Sequence, residues 1–264
     1  MMQTRCIGAA ARGFAALFIH AWPWLGRLSG HADKGRNLNG LNWRILFTCF
    51  ARTYLVGASF NTRGMQNVGL AFVMEPGLSR IYKDPKELGK ARKRYLAHYN
   101  THLFWTPLMA GVFLSMEDKI ARDIFRVELL DNVRNTMVYT LSAIGDSLFA
   151  GSLLVFWSLS AALMAVAGGW PWVAAWCGLW FVLLQVFKTA CFVFGFREGL
   201  GVLNRLRNYR LIDWGTRLKY VNGVVLALLL FVAWGGMEHT LSWLVAVAVL
   251  MAMAIAVFRL HVSR

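Results

Sequence analysis

The stretch FAGSLLVFWSLSAALMAVAGGWPWVAAWCGLWFVLLQVFKTACFVF, residues 149–194, decides the fold. It holds two apolar runs, 149–167 and 170–194, each near the about 20 residues that cross a bilayer as a helix. Gly168-Gly169-Trp170-Pro171 separates them as a tight turn. Two further runs of this kind follow, at about 221–236 and 241–258, with Gly235-Gly236-Met237-Glu238-His239 between them. The four runs form two helical hairpins. They predict an all-α, polytopic integral membrane protein with about four membrane-spanning helices, preceded by amphipathic and re-entrant helices.

Composition agrees. Of 264 residues, 58% are hydrophobic, above the usual share for a soluble domain. The 28 Lys and Arg against 13 Asp and Glu leave a net charge of +15. Such basicity suits nucleic-acid binding or a membrane surface. Membrane-length apolar runs favour the second, so no nucleic acid is expected and anionic lipid is. The basic residues flank the runs. Arg197, Arg205, Arg207, Arg210, Arg217 and Lys219 lie between the second and third, and Arg259 and Arg264 follow the fourth. The turns at Gly168 and Gly236 carry neither Lys nor Arg. The positive-inside rule therefore places the basic loops, the 83–94 cluster and both termini in the cytoplasm. Cys6, Cys49, Cys177 and Cys191 form no CxxC pair and read as small core residues, with no disulfide framework and no zinc site.

Three regions follow: a basic N-terminal extension at 1–40, an amphipathic and re-entrant helical region at 41–147, and the transmembrane region at 148–264. In the extension, Arg5 and Arg12 precede an apolar patch that carries Trp22, Pro23 and Trp24. A membrane-surface segment fits it better than a cleaved signal. In the middle region, Ile45, Leu46, Cys49 and Phe50 form an apolar stripe at helical spacing. The run 103–116 is too short to span and is read as a re-entrant or protein-buried helix. Glu128, Asp131 and Arg134 mark a polar face on the helix after it.

Two short polar motifs stand out, Tyr99-Asn100-Thr101-His102 and Ile144-Gly145-Asp146-Ser147, each beside an apolar run. A carboxylate at the edge of a membrane-length segment is costly and is usually kept for function. With Phe60-Asn61, Met65-Gln66, Gly69, Met74, Pro76 and Tyr82 ahead of them, and Gly111 and Met116-Glu117-Asp118 between them, they resemble an ordered series. The series is that of the IID subunit of mannose/fructose/sorbose-type phosphotransferase permeases. Gly145-Asp146-Ser147-Leu148-Phe149 and Gly195-Phe196-Arg197-Glu198-Gly199 extend the resemblance, which covers about 44–236. One stretch departs from it. The family carries a Met-Gly-Pro-Leu-Ala-Gly run before its Gly-Asp, whereas here Met137-Val138-Tyr139-Thr140-Leu141-Ser142-Ala143 lacks the Gly-Pro break.

The resemblance implies a subunit of the cytoplasmic (inner) membrane, paired with a IIC subunit in a hetero-oligomer that translocates a hexose. Soluble IIA and IIB proteins carry the phosphoryl group, and IIB phosphorylates the sugar. IID has no catalysis of its own and no cofactor. The expected substrate or partner path runs past Asn61, Gln66, Asn100, Thr101, Glu117 and Asp146. The alternative is a membrane scaffold or regulator that kept the fold and no longer transports, suggested by the missing Gly-Pro.

Each residue also has a plainer role. Asp146 suits sugar hydroxyls, and equally the N-cap of the helix after it. Asn100 and Thr101 suit an Asx or Thr turn that ends the basic helix. His98 and His102 are spaced i, i+4, which would put both on one helix face, yet no third ligand stands nearby and a metal is not expected.

Overall fold

The computed structural model describes residues 41–202 and 211–233, with isolated positions at 206, 244–245, 247–249 and 251–252. The predicted N-terminal extension, the 235–239 turn and most of the run 241–258 lie outside the described residues. What is described is a series of helices joined by turns and loops, with two isolated β-bridges, Asn61 to Met65 and Met65 to Tyr99.

Helix α1, Trp43–Arg52, starts at Asn42, whose side chain accepts from the Ile45 N–H at 3.1 Å. Its buried face is Leu46, Cys49 and Phe50, three members of the predicted stripe. A 3₁₀ segment, Thr53–Ser59, leads through a tight turn to α2, Asn67–Ile81. Helix α3, Pro85–Tyr95, has Asp84 as its N-cap, proline at its first position, and Arg92, Lys93 and Arg94 in its last turn. An extended loop then leads to α4, Thr106–Ile120.

Helix α4 is the most buried helix among the described residues. Every residue from Thr106 to Asp118 is buried, so it is the protein-buried helix expected of the 103–116 run. Helix α7, Trp170–Glu198, crosses it at two glycines. A methyl on Gly111 would lie 2.4 Å from the Phe192 carbonyl oxygen, and one on Gly195 would lie 2.4 Å from that of Leu108. The two backbones therefore touch directly, as small residues allow in membrane helices. Both glycines were landmarks of the family resemblance, and this crossing is what they do.

The first predicted span begins well before Phe149. Helix α5, Val127–Gly145, continues through a π-helical turn, Asp146–Leu153, into α6, Leu154–Val166. The 40 residues Val127–Val166 make one rod of about 60 Å, twice the about 30 Å of hydrocarbon. The polar first half hid this continuity, because Glu128, Asp131 and Arg134 do not resemble a span. Residues 137–143 run as unbroken helix, and the irregularity falls just after them, in the π turn. There the Ser152 hydroxyl donates to the carbonyls of Ser147 (2.8 Å) and Gly215 (3.0 Å), while Asn222 donates to the Ser152 carbonyl at 2.9 Å. These bonds tie the turn to α8, Leu211–Ala233.

Gly168 adopts φ +79 in the turn between α6 and α7, where its N–H donates to the Ala165 carbonyl. A side chain disfavours that conformation, so glycine ends α6 there. Among the described residues, three helices are long and apolar enough to cross a membrane: Val127–Val166, Trp170–Gly201 and Leu211–Ala233.

Candidate functional site

The six predicted site residues divide into those bound up in the fold and those left free. Asn61 is fully engaged. Its Oδ1 accepts from the N–H groups of Gly64 (2.8 Å) and Arg63 (3.1 Å), and its Nδ2 donates to the Met65 carbonyl (3.1 Å) and to Asn67 Oδ1 (3.0 Å). The turn it braces places Met65 at φ 59. It also presents the Gln66 N–H to the Tyr99 carbonyl at 2.9 Å.

Gln66 is buried and acts as a clamp. Its Nε2 donates to the Thr101 carbonyl at 3.0 Å, and its Oε1 accepts from the Thr101 N–H at 3.4 Å. The side-chain amide thus pairs with the N–H and C=O of one residue much as a neighbouring strand would. It holds residues 99–101 extended, so α3 ends at Tyr95 and the Asn-Thr pair does not close it with a local turn. The same extension separates His98 from His102, and the one-face geometry needed for a metal is lost. No cluster of three His, Cys, Asp or Glu that could hold a metal occurs among the described residues.

Glu117 is the third engaged residue. It has no exposed surface, yet it accepts from Tyr82 (2.7 Å), Tyr95 (2.8 Å) and Arg94 (2.7 Å to Nη2, 3.3 Å to Nε). A buried carboxylate is tolerable only when paired and hydrogen-bonded in this way. Burial and the Glu117 charge push the Tyr82 and Tyr95 phenols well up. Burial works most strongly on Arg94 and opposes its charge, but the hydrogen bond and charge of Glu117, with Tyr82 and Tyr95, together outweigh it and raise the Arg94 pKa. Arg134 of α5 then donates to the Arg94 carbonyl at 2.6 Å and pairs with Asp131 at 2.9 Å. This chain of contacts joins α4, α3 and α5.

Asn100, Thr101 and Asp146 differ. Asn100 is half-buried, and its side chain has no hydrogen-bond partner among the described residues. The Thr101 hydroxyl is buried with none. Asp146 is exposed, and its backbone is helical (φ −63, ψ −43) within the continuous rod, so it caps nothing. The N-cap reading fails because no helix begins there.

The two polar motifs meet through Gly145. A methyl on it would lie 2.3 Å from the His102 Cβ and 3.0 Å from Trp105 Cδ1, so only glycine lets the 99–105 loop seat on α5. His102 stacks on Phe149 at 5.2 Å, one turn further along. Burial lowers the His102 pKa; Asp146 opposes this shift and Lys188 adds to it.

Residues 41–230 match the model of the PTS system mannose/fructose/sorbose family IID component. The chain belongs to this family. It is a multi-pass membrane protein of the IID type. It is 24% identical over 155 residues to the fructose permease IID component of Bacillus subtilis (strain 168), covering 58% of this chain and 55% of that protein. It is 26% identical over 152 residues to the mannose-specific EIID component of Escherichia coli (strain K12), covering 57% and 52%. The matches thus span about half the length of these relatives. Among solved structures, one described as a membrane protein aligns with a TM-score of 0.64 at 20% identity, covering 72% of this chain and 71% of that one. A cryo-EM structure of the mannose transporter ManYZ with microcin E492 aligns with a TM-score of 0.56 at 21% identity, covering 72% and 70%. Both likenesses concern the fold.

Sequence reasoning passed over one residue of this IID protein. Lys188 lies inside an apolar span, where its charge is itself a signal. Its ammonium sits 4.2 Å from the Tyr54 ring centroid and 5.3 Å from that of Phe104. Tyr54 in turn donates to Gln185, one turn away on α7. The partners of Glu117 were also invisible, because Tyr82, Arg94 and Tyr95 lie 22 to 35 residues from it along the chain.

Proposed function

We propose that this IID protein forms, with a IIC subunit, the membrane path that delivers a hexose to a phosphorylated IIB protein, itself charged by IIA. The family match over residues 41–230 carries the reading. The resemblance of the fold to the ManYZ transporter is in keeping with it. In this reading the protein works in the cytoplasmic membrane with its basic loops inside, where the 83–94 cluster faces anionic lipid. It performs no chemistry alone. It contributes packing to the hetero-oligomer and a few polar contacts to the path.

Asn100, Thr101 and Asp146 are the residues of that path, because they keep unmet hydrogen-bonding capacity. An amide, a hydroxyl and a carboxylate together supply the donors and acceptors that sugar hydroxyls require. Asn61, Gln66 and Glu117 hold the loop and α4 in place around them. The test is co-expression with IIC, IIB and IIA proteins of the same permease family, followed by hexose uptake. Asn100→Ala and Asp146→Ala should lower uptake while a IIC subunit still co-purifies. Unchanged uptake with intact assembly would leave a scaffold that no longer transports.

A further inference from the structure

Between the α5–α6 rod and α7 lies a cavity of about 450 Å³. Its walls include Phe104, Trp105, Phe149, Trp157, Trp180 and Phe187, and no charged side chain lines it. A sugar would leave its hydroxyls unpaired there, so the cavity lies apart from the sugar path. One observation makes it more than an apolar groove. The Lys188 ammonium sits over Phe104, a wall residue, and no carboxylate lies within 4.0 Å of it among the described residues.

We propose that this is a binding site for one anionic phospholipid. An acyl chain fills the cavity between two helices that are themselves apolar enough to cross the bilayer. The headgroup phosphate faces Lys188, which has no carboxylate partner among the described residues. Each part of the lipid answers one feature of the site, the acyl chain the apolar volume and the phosphate the Lys188 charge.

The full-length chain, purified in detergent, is incubated with equimolar phosphatidylglycerol and phosphatidylcholine of identical acyl chains, and retained lipid is counted by native mass spectrometry. The wild type should favour phosphatidylglycerol about fivefold, the worth of one basic side chain against an anionic headgroup. Lys188→Gln should abolish the preference and Lys188→Arg should keep it. Leu184→Trp, which fills the cavity, should reduce retention of both lipids at unchanged helicity by circular dichroism. Equal retention of the two lipids by the wild type, or a preference that survives Lys188→Gln, overturns the proposal. So does undiminished retention by a folded Leu184→Trp protein.

Discussion

His102 lies against Gly145 so closely that a single methyl on the glycine would come within 2.3 Å of the His102 Cβ. This contact joins two motifs more than forty residues apart in the sequence and sets the height at which the 99–105 loop meets the α5–α6 rod. Gly145→Ala should therefore displace the loop. Overpacking of this kind costs about 1–3 kcal/mol. Thermal unfolding of the purified protein should show the loss, and hexose uptake should fall with it. A Gly145→Ala protein with wild-type melting and uptake would show that the loop seats elsewhere.

At the α4–α7 crossing the obstacle is backbone, which has less room to yield than a side chain. A methyl on Gly111 meets the Phe192 carbonyl oxygen at 2.4 Å and the Phe196 nitrogen at 2.7 Å. Gly111→Val should drive the helices apart and cost more than Gly145→Ala. Gly178→Ala on the same α7 meets nothing within 4 Å and should be neutral. Urea or heat unfolding of the three variants ranks them directly.

Removal of the Glu117 charge leaves Arg94 without its carboxylate, and breaking one side of a buried pair costs about 3–5 kcal/mol. Glu117→Gln should therefore be severely destabilised. Tyr82→Phe removes the hydrogen bond to Glu117 and a 3.3 Å one from Arg94 but leaves the ion pair, and should cost about 1–2 kcal/mol. Equal unfolding midpoints for the two variants would mean that the Arg94–Glu117 pair contributes little.

Acid should weaken the loop contact at His102. Burial holds its pKa below the ordinary 6.5. The unfolded chain therefore takes up the proton first as pH falls, and stability drops from about pH 6.5 downward until the folded histidine also protonates. Above that window the residue is neutral in both states and its contribution is constant. The melting temperature of wild type should decline more steeply from pH 7 to pH 5.5 than that of His102→Gln. Parallel curves would assign the acid sensitivity to other groups.

Much of this fold is legible in the sequence, for identifiable reasons. Apolar runs of membrane length betray α6, α7 and α8 because every position of a span faces lipid or protein. The burial of α4 follows from a run too short to cross yet too apolar to stay in water. Gly168 marks its turn because few other residues adopt φ +79 there. What stayed hidden depends on partners distant in sequence. Asp146 resembles an N-cap only if a helix begins there, and the polar face of α5 conceals that the helix is already running. His98 and His102 share a face only if the loop is helical, and the Gln66 clamp 35 residues earlier keeps it extended. Lys188 looks like an interruption of an apolar run until Tyr54 and Phe104 are seen around it.

The division between engaged and free polar residues is itself testable. Gln66→Ala removes both bonds to the Thr101 backbone, so it should lower stability and uptake together. Asn100→Ala removes no bond, so stability should stay within about 0.5 kcal/mol, as for substitutions away from packed or bonded features. Its uptake should still fall. If both variants lose stability in proportion to uptake, Asn100 has a structural role after all.

Hexose uptake with and without this chain is the most direct measurement. Cells lacking their own permease of this type would express IIA, IIB and IIC proteins of the same family, with or without this IID subunit. Phosphorylated hexose should accumulate only when the IID subunit is present, and accumulation should fall in Asp146→Ala cells that still assemble the IIC–IID complex. Equal accumulation in the presence and absence of the IID subunit would contradict a role in translocation.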